Sequence, residues 1–465
     1  MPHHDLVIIG SGSGNSLLTP ELAGLDVAIV EKGTFGGTCL NVGCIPTKMF
    51  VVPADRVVEA HDAHRLGVTF DRPRVDWPAI RDRIFGRIDP ISRGGEDYRR
   101  GQEHVTLHRS RARFTGDRAL VLDTGEEVTA DRVVVAAGSR PNGLDLDGLR
   151  AADPATGVHT SDTVMRLDSL PPRMAVVGGG FVACELAHVF SALGVHVTQL
   201  QRSGHLLMHE EEEIGQRYTE IARHRYDVRL GTTVTAADHS LGVWRLETEG
   251  PGGPAHVEAE VVLLAVGRRP NTDLLDAQAG GLDVTEDGLL VVDDQLRTTA
   301  QGVWALGDVC SPHQLKHVAN HEARVVAHNL AVDLGRLEGE PRRLDDRPIP
   351  HAVFGHPQVA SFGPTCAELD AAGTPYVTKT QSYGDVAYGW ALEDTTGILT
   401  VHADPSGRVL AAHVLGPHAS TVIQPLVQAA TFGQDALEVA RGQYWIHPAL
   451  AEVVENALLG LPLDT

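Results

Sequence analysis

Cysteine is scarce in this sequence, which holds five among 465 residues: Cys39, Cys44, Cys184, Cys310 and Cys366. So few thiols in so long a chain exclude the dense disulfide framework that stabilises small secreted domains. Three of the five are isolated, whereas Cys39 and Cys44 lie five positions apart. A single local pair is better suited to catalysis in a reducing compartment, and we therefore expect a cytoplasmic protein.

Long apolar runs and positive charge are also lacking. No apolar stretch approaches the 18 residues that a transmembrane helix needs, and a strand pattern begins by Asp5. We therefore expect neither a membrane span nor a signal peptide. The formal net charge of −22 argues against nucleic acid and against an anionic membrane as partners. Lysine occurs four times, which gives weight to Lys48 beside the cysteine pair.

The segment from Gly36 to Lys48 contains the cysteine pair between glycines. Positions five apart in a regular helix rise about 7.5 Å along the axis, whereas a disulfide needs Cα atoms roughly 4.4–6.8 Å apart. A bond between Cys39 and Cys44 therefore requires a distorted turn, which the glycines permit. Pro46 suits a first helical turn, so Cys44 is expected at a helix N-terminus, where N–H groups and the dipole favour a thiolate.

Two other interpretations of the pair are buried thiols and half of a metal site. The metal site lacks a second Cys or His pair at ligand spacing. The segment therefore predicts a redox-active dithiol, and we expect no metal.

A dinucleotide-binding pattern precedes the dithiol. The apolar strand 5–9 runs into a glycine-rich turn, and a second short strand, 27–30, ends at an acid suited to a ribose hydroxyl. Asn15 replaces the expected small residue, and Pro20 shortens or bends the helix that should follow. The residues expected to contact this first nucleotide are Gly10, Gly12, Ser13, Gly14 and Glu31.

The same pattern returns in the middle of the chain. The strand 174–177 leads into the turn residues Gly178, Gly180 and Ala183, so two nucleotide folds suggest two nucleotides. The next strand ends at Gln201 and Arg202 instead of the acid that an NAD site needs. A cation suits the 2′-phosphate of NADP, although a solvated surface arginine is the alternative.

Other segments show the order of elements. Residues 50–115 are expected to be helical, with a β-rich piece and a hairpin turn at 123–126 after them. The acidic run 210–213 is expected to be an exposed helix start. Residues 335–347 have the polar composition of a linker, and strands followed by helices dominate beyond them. Near the end, His447-Pro448 is expected to open a helix that carries Glu452; a surface histidine is the alternative.

Together these motifs resemble the pyridine nucleotide–disulfide oxidoreductases of the glutathione reductase and dihydrolipoamide dehydrogenase group. The resemblance covers essentially the whole chain. Four segments (14–16, 34–36, 384–390 and 443–450) most resemble the mycothione reductase branch of that group. The resemblance implies an α/β fold with two Rossmann-like domains and a C-terminal α+β dimerisation domain. It divides the chain into a first FAD-binding part (1–145), an NADP(H)-binding domain (146–265), a second FAD-binding or central part (266–340) and the dimerisation domain (341–465).

The resemblance also implies the roles of individual residues. Cys44 would face the flavin as the charge-transfer thiolate, and Cys39 would attack a small-molecule disulfide, here mycothione. His447, held by Glu452, would protonate the departing thiol in a homodimer. Lys48 and Glu185 would form an ion pair beside the flavin, NADPH would be the reductant, and FAD would be the bound flavin. Further contacts to FAD would come from Gly37, Thr38, Lys48, Gly138, Asp308, Lys316 and His317. Contacts to NADPH would come from the second glycine turn and from Arg202 and Gly267.

Several rival functions use related sequences. A dihydrolipoamide dehydrogenase would use NAD, which Gln201 and Arg202 disfavour. A glutathione reductase-like enzyme remains an alternative. Thioredoxin and mercuric reductases would carry further cysteines near the end, and the tail 459–465 has none. A non-enzymatic FAD-binding redox sensor would have no need of the proton donor His447.

Overall fold

A computed structural model describes residues 1–463, which separate into two compact units. Unit 1 comprises 1–47, 81–142 and 267–345, and unit 2 comprises 48–80, 143–266 and 346–465. The finer four-part division, which ends at residue 465, stays a prediction. No helix within the described residues is long and apolar enough to span a membrane.

The strands of residues 1–463 are, in chain order, β1 His3–Ile9, β2 Val27–Val30, β3 Val105–His108, β4 Ala112–Gly116, β5 Ala119–Leu122, β6 Glu127–Val135, β7 Ser139–Pro141, β8 Val158–His159, β9 Arg173–Val177, β10 His196–Leu200, β11 Asp227–Arg229, β12 Thr233–Ser240, β13 Val243–Gly250, β14 Gly253–Ala259, β15 Val261–Leu264, β16 Arg268–Pro270, β17 Val303–Ala305, β18 His351–Val353, β19 Gln358–Phe362, β20 Val377–Ser382, β21 Ile398–Ala403 and β22 Val409–Gly416.

The α-helices are α1 Gly37–Asn41, α2 Cys44–Asp62, α3 Trp77–Arg100, α4 Ser161–Val164, α5 Phe181–Ala192, α6 Glu212–Arg223, α7 Lys316–Asp333, α8 Cys366–Ala372, α9 Ala387–Ala391, α10 Ala419–Val422, α11 Gln424–Phe432, α12 Ala436–Arg441 and α13 Glu452–Leu459.

Unit 1 is built on a seven-stranded sheet. The order β3-β2-β1-β6-β5-β4 has β17 as a further neighbour of β6. Pairing is parallel from β3 through β2 and β1 to β6, and also between β6 and β17. It is antiparallel where β5 pairs with β6 and with β4. Along β1, Leu6 and Ile8 enter one core cluster while Val7 and Ile9 enter another. Both faces of the strand are therefore buried, as its continuous apolar run predicts.

Unit 2 contains a second parallel sheet, in the order β11-β10-β9-β15-β8. The antiparallel strands β12, β13 and β14 form a separate sheet, and Trp244 and Leu246 of β13 share a core with Ala175 and Val177 of β9. The two glycine turns predicted from the sequence follow β1 and β9, each at the carboxyl end of a central parallel strand. That edge is where doubly wound sheets bind nucleotides.

The C-terminal part of unit 2 is an antiparallel sheet, β18-β19-β22-β21-β20. Its residues Val401 and Val414 share a buried core with Val453 and Val454 of α13. β21 alternates the apolar Leu399, Val401 and Ala403 with the polar Thr400 and His402, yet it is buried along its whole length, so neither face is left to solvent.

Three sequence expectations about these elements were wrong in part. Residues 50–115 are not all helical, because Val105 pairs with Val27 and extends the parallel sheet by β3. The helix expected at Pro448 begins at Glu452.

The acidic run 210–213 is the third correction. Glu212 and Glu213 open α6 as expected, but Glu210 is buried. Its carboxylate lies 2.7 Å from Nε2 of His351 and accepts the Ser361 hydroxyl at 2.6 Å. Burial alone would raise the pKa of Glu210, but the hydrogen bonds from His351 and Ser361 and the charges of His351 and His413 together outweigh burial, and the pKa is lowered. Sequence pattern could not show these partners because they lie 141 and 151 residues further along the chain.

Candidate active site

The first glycine turn has a backbone that side chains would block. Gly10 has φ +104°, and a Cβ there would lie 2.2 Å from the carbonyl oxygen of Ala136. A Cβ on Gly37 would lie 2.7 Å from Cα of Gly12, so the turn and the start of α1 approach with only hydrogens between them. The missing side chains allow a bound group to approach the backbone closely, as in dinucleotide-binding turns.

Glu31 orders the same turn. Its Oε2 accepts hydrogen bonds from the backbone N–H of Ser11 at 2.9 Å and from the Ser11 hydroxyl at 2.7 Å. Its Oε1 accepts the N–H of Gly33 at 2.7 Å. The carboxylate that we expected at a ribose therefore also fixes the turn before any ligand binds.

The helix that normally follows such a turn is replaced by two short 3-10 segments, Ser13–Leu17 and Pro20–Leu22. This agrees with the expected effect of Pro20. Lys316 at the start of α7 donates to the Ser13 hydroxyl at 2.8 Å, so two residues predicted to contact FAD lie together. His317 is exposed in the same first turn of α7.

Asp308 follows β17 in a short 3-10 turn. Its Oδ2 accepts the Ser139 hydroxyl at 2.7 Å, and Nε of Arg268 donates to that hydroxyl at 2.9 Å. Two further residues expected near nucleotides, Gly138 (φ +66°) and Gly267 (φ +102°), flank this hydrogen-bonded group in the sequence.

The dithiol segment is a broken helix. Gly36, with φ +101°, precedes α1, and Val42 (φ −144°) interrupts it before α2 begins at Cys44. Cys39, in α1, is half-buried, and Cys44 is exposed at the N-terminus of α2. The expected distortion between the cysteines is therefore present.

Neighbouring side chains hold this break. Asn41 is buried and donates to the carbonyl oxygens of Phe35 at 2.9 Å and Gly37 at 3.0 Å. The Thr47 hydroxyl donates to the Gly43 carbonyl at 2.8 Å, and the N–H of Val42 donates to the Thr38 carbonyl at 2.9 Å. The two thiols thus sit on a locally fixed backbone.

One helical turn after Cys44, Lys48 forms an ion pair within unit 2. Its Nζ lies 2.8 Å from both carboxylate oxygens of Glu185, a buried residue of α5. The N–H of Phe354 also donates to Glu185 at 2.8 Å, and Lys48 lies 4.8 Å from the centroid of the Phe354 ring. The structure therefore brings together the two residues expected to pair.

The second glycine turn repeats the first. Gly178 has φ +131°, and a Cβ there would lie 2.2 Å from the carbonyl oxygen of Ala265. Gly180 caps α5, and Ala183 is fully buried. After β10, Gln201 is buried and Arg202 is exposed, so a cation stands at the predicted position.

His447 and Glu452 are in contact. Nδ1 of His447 lies 2.7 Å from Glu452 Oε1, and the Ala449 N–H donates to the other carboxylate oxygen at 3.0 Å. The hydrogen bond from His447 lowers the pKa of Glu452. The imidazole is 69% exposed, so Nε2 is available to an incoming group while Nδ1 is held.

Comparison with known proteins classifies these features. The profile of the pyridine nucleotide-disulphide oxidoreductases matches residues 4–323, and that of their dimerisation domain matches residues 349–458. The chain belongs to the pyridine nucleotide-disulphide oxidoreductase family. The predicted fold class and enzyme class are thereby confirmed.

This oxidoreductase is similar over its whole length to several named members of the family. It is 50% identical to the mycothione reductase of Mycobacterium tuberculosis strain H37Rv, over 99% of this chain and 100% of that one. It is 33% identical to the dihydrolipoyl dehydrogenase of Haloferax volcanii, over 98% and 96% of the two chains. A Cu(II) complex of the HOCl-induced flavoprotein disulfide reductase RclA from Escherichia coli superimposes with a TM-score of 0.85 at 25% identity, covering 99% of both chains.

Sequence reasoning missed polar residues that support the turns expected to contact the oxidoreductase's cofactors. Nε of Arg99 donates to the Asn15 side chain at 2.6 Å, and its Nη2 donates to the Asn15 carbonyl at 2.8 Å. Glu322, buried on α7, accepts the Gly307 N–H at 2.6 Å, and burial raises its pKa. The sequence contained one indication of the buried Glu322, which is a glutamate that stands among apolar residues of a helix.

Proposed function

We propose that this chain is an NADPH-dependent flavoprotein that reduces mycothione, the symmetrical disulfide of mycothiol, to two thiols through Cys39 and Cys44. The main support for mycothione as the substrate is the 50% identity to a mycothione reductase, over 99% of this chain and 100% of that one. The dihydrolipoyl dehydrogenase and mercuric reductase relatives are 33% and 34% identical.

The residues present fit two nucleotides. Each glycine turn carries a position where a Cβ would meet a carbonyl oxygen at 2.2 Å, and each follows a central parallel strand. FAD is assigned to the turn of Gly10–Gly14 with Glu31, Asp308 and Lys316, and NADPH to Gly178–Ala183 with Arg202. When bound, these cofactors supply the hydride and electron pair that return a Cys39–Cys44 disulfide to two thiols.

Cys44 is suited to persist as a thiolate. It is the first residue of α2, where unpaired backbone N–H groups and the helix dipole stabilise negative charge. Lys48 lies one turn further on, and its charge is already paired with Glu185. The ion pair fixes a positive charge on α2 and a negative charge on α5 within unit 2.

The chemistry at sulfur is thiol–disulfide exchange. The Cys39 thiolate attacks one sulfur of mycothione, which forms a mixed disulfide and releases one mycothiol thiolate. The Cys44 thiolate then attacks the Cys39 sulfur, which releases the second mycothiol and closes the Cys39–Cys44 bond. Each departing thiolate takes one proton.

His447 is the proton donor in this proposal. Glu452 fixes Nδ1 and stabilises the imidazolium, so Nε2–H is the acid. His447 lies in the region that matches the family's dimerisation domain. We therefore assign it to the dithiol of the partner subunit in a homodimer.

Residues of this chain favour a sugar disulfide over glutathione disulfide. Aligned from Gly10, glutathione reductases hold a glycine carboxylate with an arginine where this chain has Pro20, and Arg324 retains only a second arginine of that kind. Trp390 supports a sugar partner, because the residue is 64% exposed and its Nε1 donates to the Gly384 carbonyl at 2.8 Å. Core packing, the role that the sequence favours for Trp390 taken alone, does not fit that exposure.

The test is a direct competition. Mycothione, or a truncated disulfide that keeps its cysteinyl-glucosamine part, is offered with glutathione disulfide at equal concentration, with NADPH or NADH as reductant. Losing a charged partner for a carboxylate costs roughly 1.5–3 kcal/mol, about 10- to 150-fold in affinity. We expect the sugar disulfide to be reduced at least tenfold faster. Efficient glutathione reduction without turnover of the sugar disulfide would overturn the substrate assignment.

A further inference from the structure

The backbone after the first glycine turn lacks the α-helix that usually supports such a turn. Two 3-10 segments stand in its place. In an α-helix the Asn15 carbonyl would accept the N–H of Thr19, but that N–H donates to the Leu17 carbonyl at 2.8 Å. The Ser16 carbonyl would accept the N–H of residue 20, and Pro20 has none. The position of this backbone therefore depends on contacts from other elements.

Arg99, in the last turn of α3, supplies such a contact. Its Nε donates to Oδ1 of Asn15 at 2.6 Å, and its Nη2 donates to the Asn15 carbonyl at 2.8 Å. Its Nη1 donates to Oε1 of Gln102 at 2.9 Å, which holds the other side of the guanidinium. Because the guanidinium is a rigid planar fork, two bonds from it fix both the position and the orientation of Asn15.

The turn before Asn15 packs closely against the sheet of unit 1. A Cβ on Gly14 would lie 2.9 Å from Cβ of Ala136 and 3.0 Å from Cγ2 of Ile8. Gly14 and Asn15 are adjacent, so the sheet and α3 together hold two consecutive residues at the end of the turn. Loss of the contact from α3 would therefore loosen one of the two attachments of the turn.

The buried charge of Arg99 forms no ion pair within residues 1–463. Arg99 is 9% exposed, and its three acceptors are neutral oxygens. Glu96, one turn earlier on α3, pairs with Arg100 and Arg109 instead. Burial lowers the pKa of Arg99, which Tyr98 only partly offsets, as expected for a cation that has lost water without gaining an anion. A buried cation of this kind is costly until an anion accompanies it.

We propose that Arg99 is a positioning residue for FAD, which holds the turn of Gly10–Gly14 through Asn15 and balances its own charge against the diphosphate. The proposal rests on the proposed function, which assigns FAD to that turn. The diphosphate of a dinucleotide binds to the backbone N–H groups of such a turn. Arg99 keeps those groups in place, and its charge stabilises the bound anion. It governs how tightly the cofactor is retained and takes no part in the chemistry at sulfur.

The experiment measures the retention of FAD by full-length holoenzyme. Diluted protein is sampled by ultrafiltration over time and over a range of added FAD, and the released flavin is quantified by absorption. Arg99→Met and Arg99→Lys are compared with two matched controls. Arg100→Met removes the exposed neighbouring arginine, and Arg336→Met removes an arginine whose Nη1 donates to the Ala23 carbonyl at 2.8 Å. Titration with NADP⁺ reports on the second glycine turn in the same proteins.

Asn15→Asp separates the charge of Arg99 from its positioning contact. Aspartate has nearly the shape of asparagine and accepts the same bond from Nε, but its carboxylate pairs with the guanidinium and cancels its charge. A role confined to structure predicts that FAD is held as tightly as before, or more tightly. The proposal predicts weaker FAD binding in a protein whose circular dichroism is that of the wild type. This variant decides the question even where Arg99→Met does not fold.

We expect Arg99→Met and Asn15→Asp each to raise the Kd for FAD by at least about fivefold. Arg99→Lys should raise it less than Arg99→Met, because lysine keeps the charge. Both controls should hold FAD as the wild type does, and NADP⁺ binding should be the same in all variants. Wild-type FAD affinity in Asn15→Asp, or an equal loss in Arg100→Met, would overturn the proposal. Wild-type protein without bound flavin would overturn the proposed function too, whereas a flavin-loaded wild type with unresponsive variants would overturn this inference alone.

Discussion

Lys48 and Glu185 form a charged pair in which Nζ is equidistant, at 2.8 Å, from both carboxylate oxygens. The lysine side chain is 31% exposed, whereas the glutamate is buried. Removing the lysine therefore leaves a buried carboxylate that still accepts the Phe354 N–H but has lost its counter-charge. The pair links α2, which carries Cys44, to α5, which follows the second glycine turn.

The first prediction concerns this pair. Lys48→Met should destabilise the folded protein by about 2–3 kcal/mol. Removing one partner of a fully buried ion pair usually costs about 3–5 kcal/mol, and the value here is smaller because the lysine is partly solvated. Glu185→Gln should cost less, since an amide still accepts from Phe354 and carries no buried charge. Thermal and urea unfolding of the flavin-loaded protein measure the effect, with Lys379→Met as the control. Equal stability of the two lysine variants would show that the pair contributes nothing.

The second prediction assigns the two thiols. Partial reduction of the holoenzyme should produce a long-wavelength thiolate-to-flavin charge-transfer band. Cys39→Ser should keep that band because Cys44 remains at the N-terminus of α2, and Cys44→Ser should abolish it. Absorption spectra during anaerobic titration provide the measurement. A band that survives only in Cys44→Ser means that the roles of the cysteines are reversed.

The third prediction concerns the proton donor. His447→Gln should slow disulfide reduction by about 10²–10⁴-fold, the usual contribution of a positioned acid, while NADPH still reduces the flavin at the wild-type rate. Stopped-flow measurement of the two half-reactions separates these steps, and His224→Gln, an exposed histidine after α6, is the matched control.

The same variant tests the assignment to a partner subunit. Mixing inactive Cys39→Ser and His447→Gln proteins under subunit exchange should restore some activity, because one of the two sites in a mixed dimer is intact. Proven mixed dimers without activity would place His447 in its own subunit's site or outside the reaction.

The fourth prediction concerns the reductant. Arg202→Ala should lower kcat/KM for NADPH by about 10- to 150-fold, the equivalent of one charge-assisted contact, and leave NADH almost unchanged. Family members that use NADPH often carry a second arginine six residues on, and this chain has the exposed Met208 there, so the wild-type preference should be modest. Steady-state kinetics with both nucleotides measure the change, and Arg217→Ala on α6 is the control. Equal kcat/KM values in wild type that do not respond to Arg202→Ala exclude this role.

The fifth prediction concerns pH and His188. Burial lowers the pKa of His188 below its ordinary value, despite the hydrogen bond with Asp55. Burial alone would raise the pKa of Asp55, but the hydrogen bonds from His188 and His356 lower it to about 2, so Asp55 stays ionised at pH 5–7. Below pH about 6.5, His188 binds a proton in the unfolded chain but not yet in the folded chain. The unfolded state therefore gains free energy from protonation, so the contribution of His188 to stability is present above that pH and is lost as the pH falls.

The measurement is the slope of unfolding free energy against pH between about 7.5 and 5. One such group contributes at most about 1.4 kcal/mol per pH unit, and His188→Gln should remove that contribution whatever its effect on absolute stability. His104→Gln, at an exposed position before β3, should leave the slope unchanged. An unaltered slope in His188→Gln would show that this histidine does not resist protonation in the fold.

Features set by short stretches of chain could be predicted from the sequence. The turns at Gly10 and Gly178 and the broken helix between Cys39 and Cys44 were predictable because positive φ angles, glycine spacing and a helix start depend on neighbouring residues. The buried parallel strands β1 and β9 followed from continuous apolar runs. The pairing of Lys48 with Glu185 came from resemblance to a family; the residues between them do not encode it.

Only the tertiary structure decided where charged groups lie buried. Glu210 belongs to a run of four glutamates that resembles an exposed helix start, yet His351 and Ser361 surround it. Glu211, the next residue, meets Cys366, His402 and His413 from three other elements. The local sequence determines backbone conformation, because φ and ψ preferences depend on a residue and its near neighbours in the chain. The solvation and partners of a carboxylate depend on strands that join it from more than 100 positions away, so they exist only once the sheets have packed.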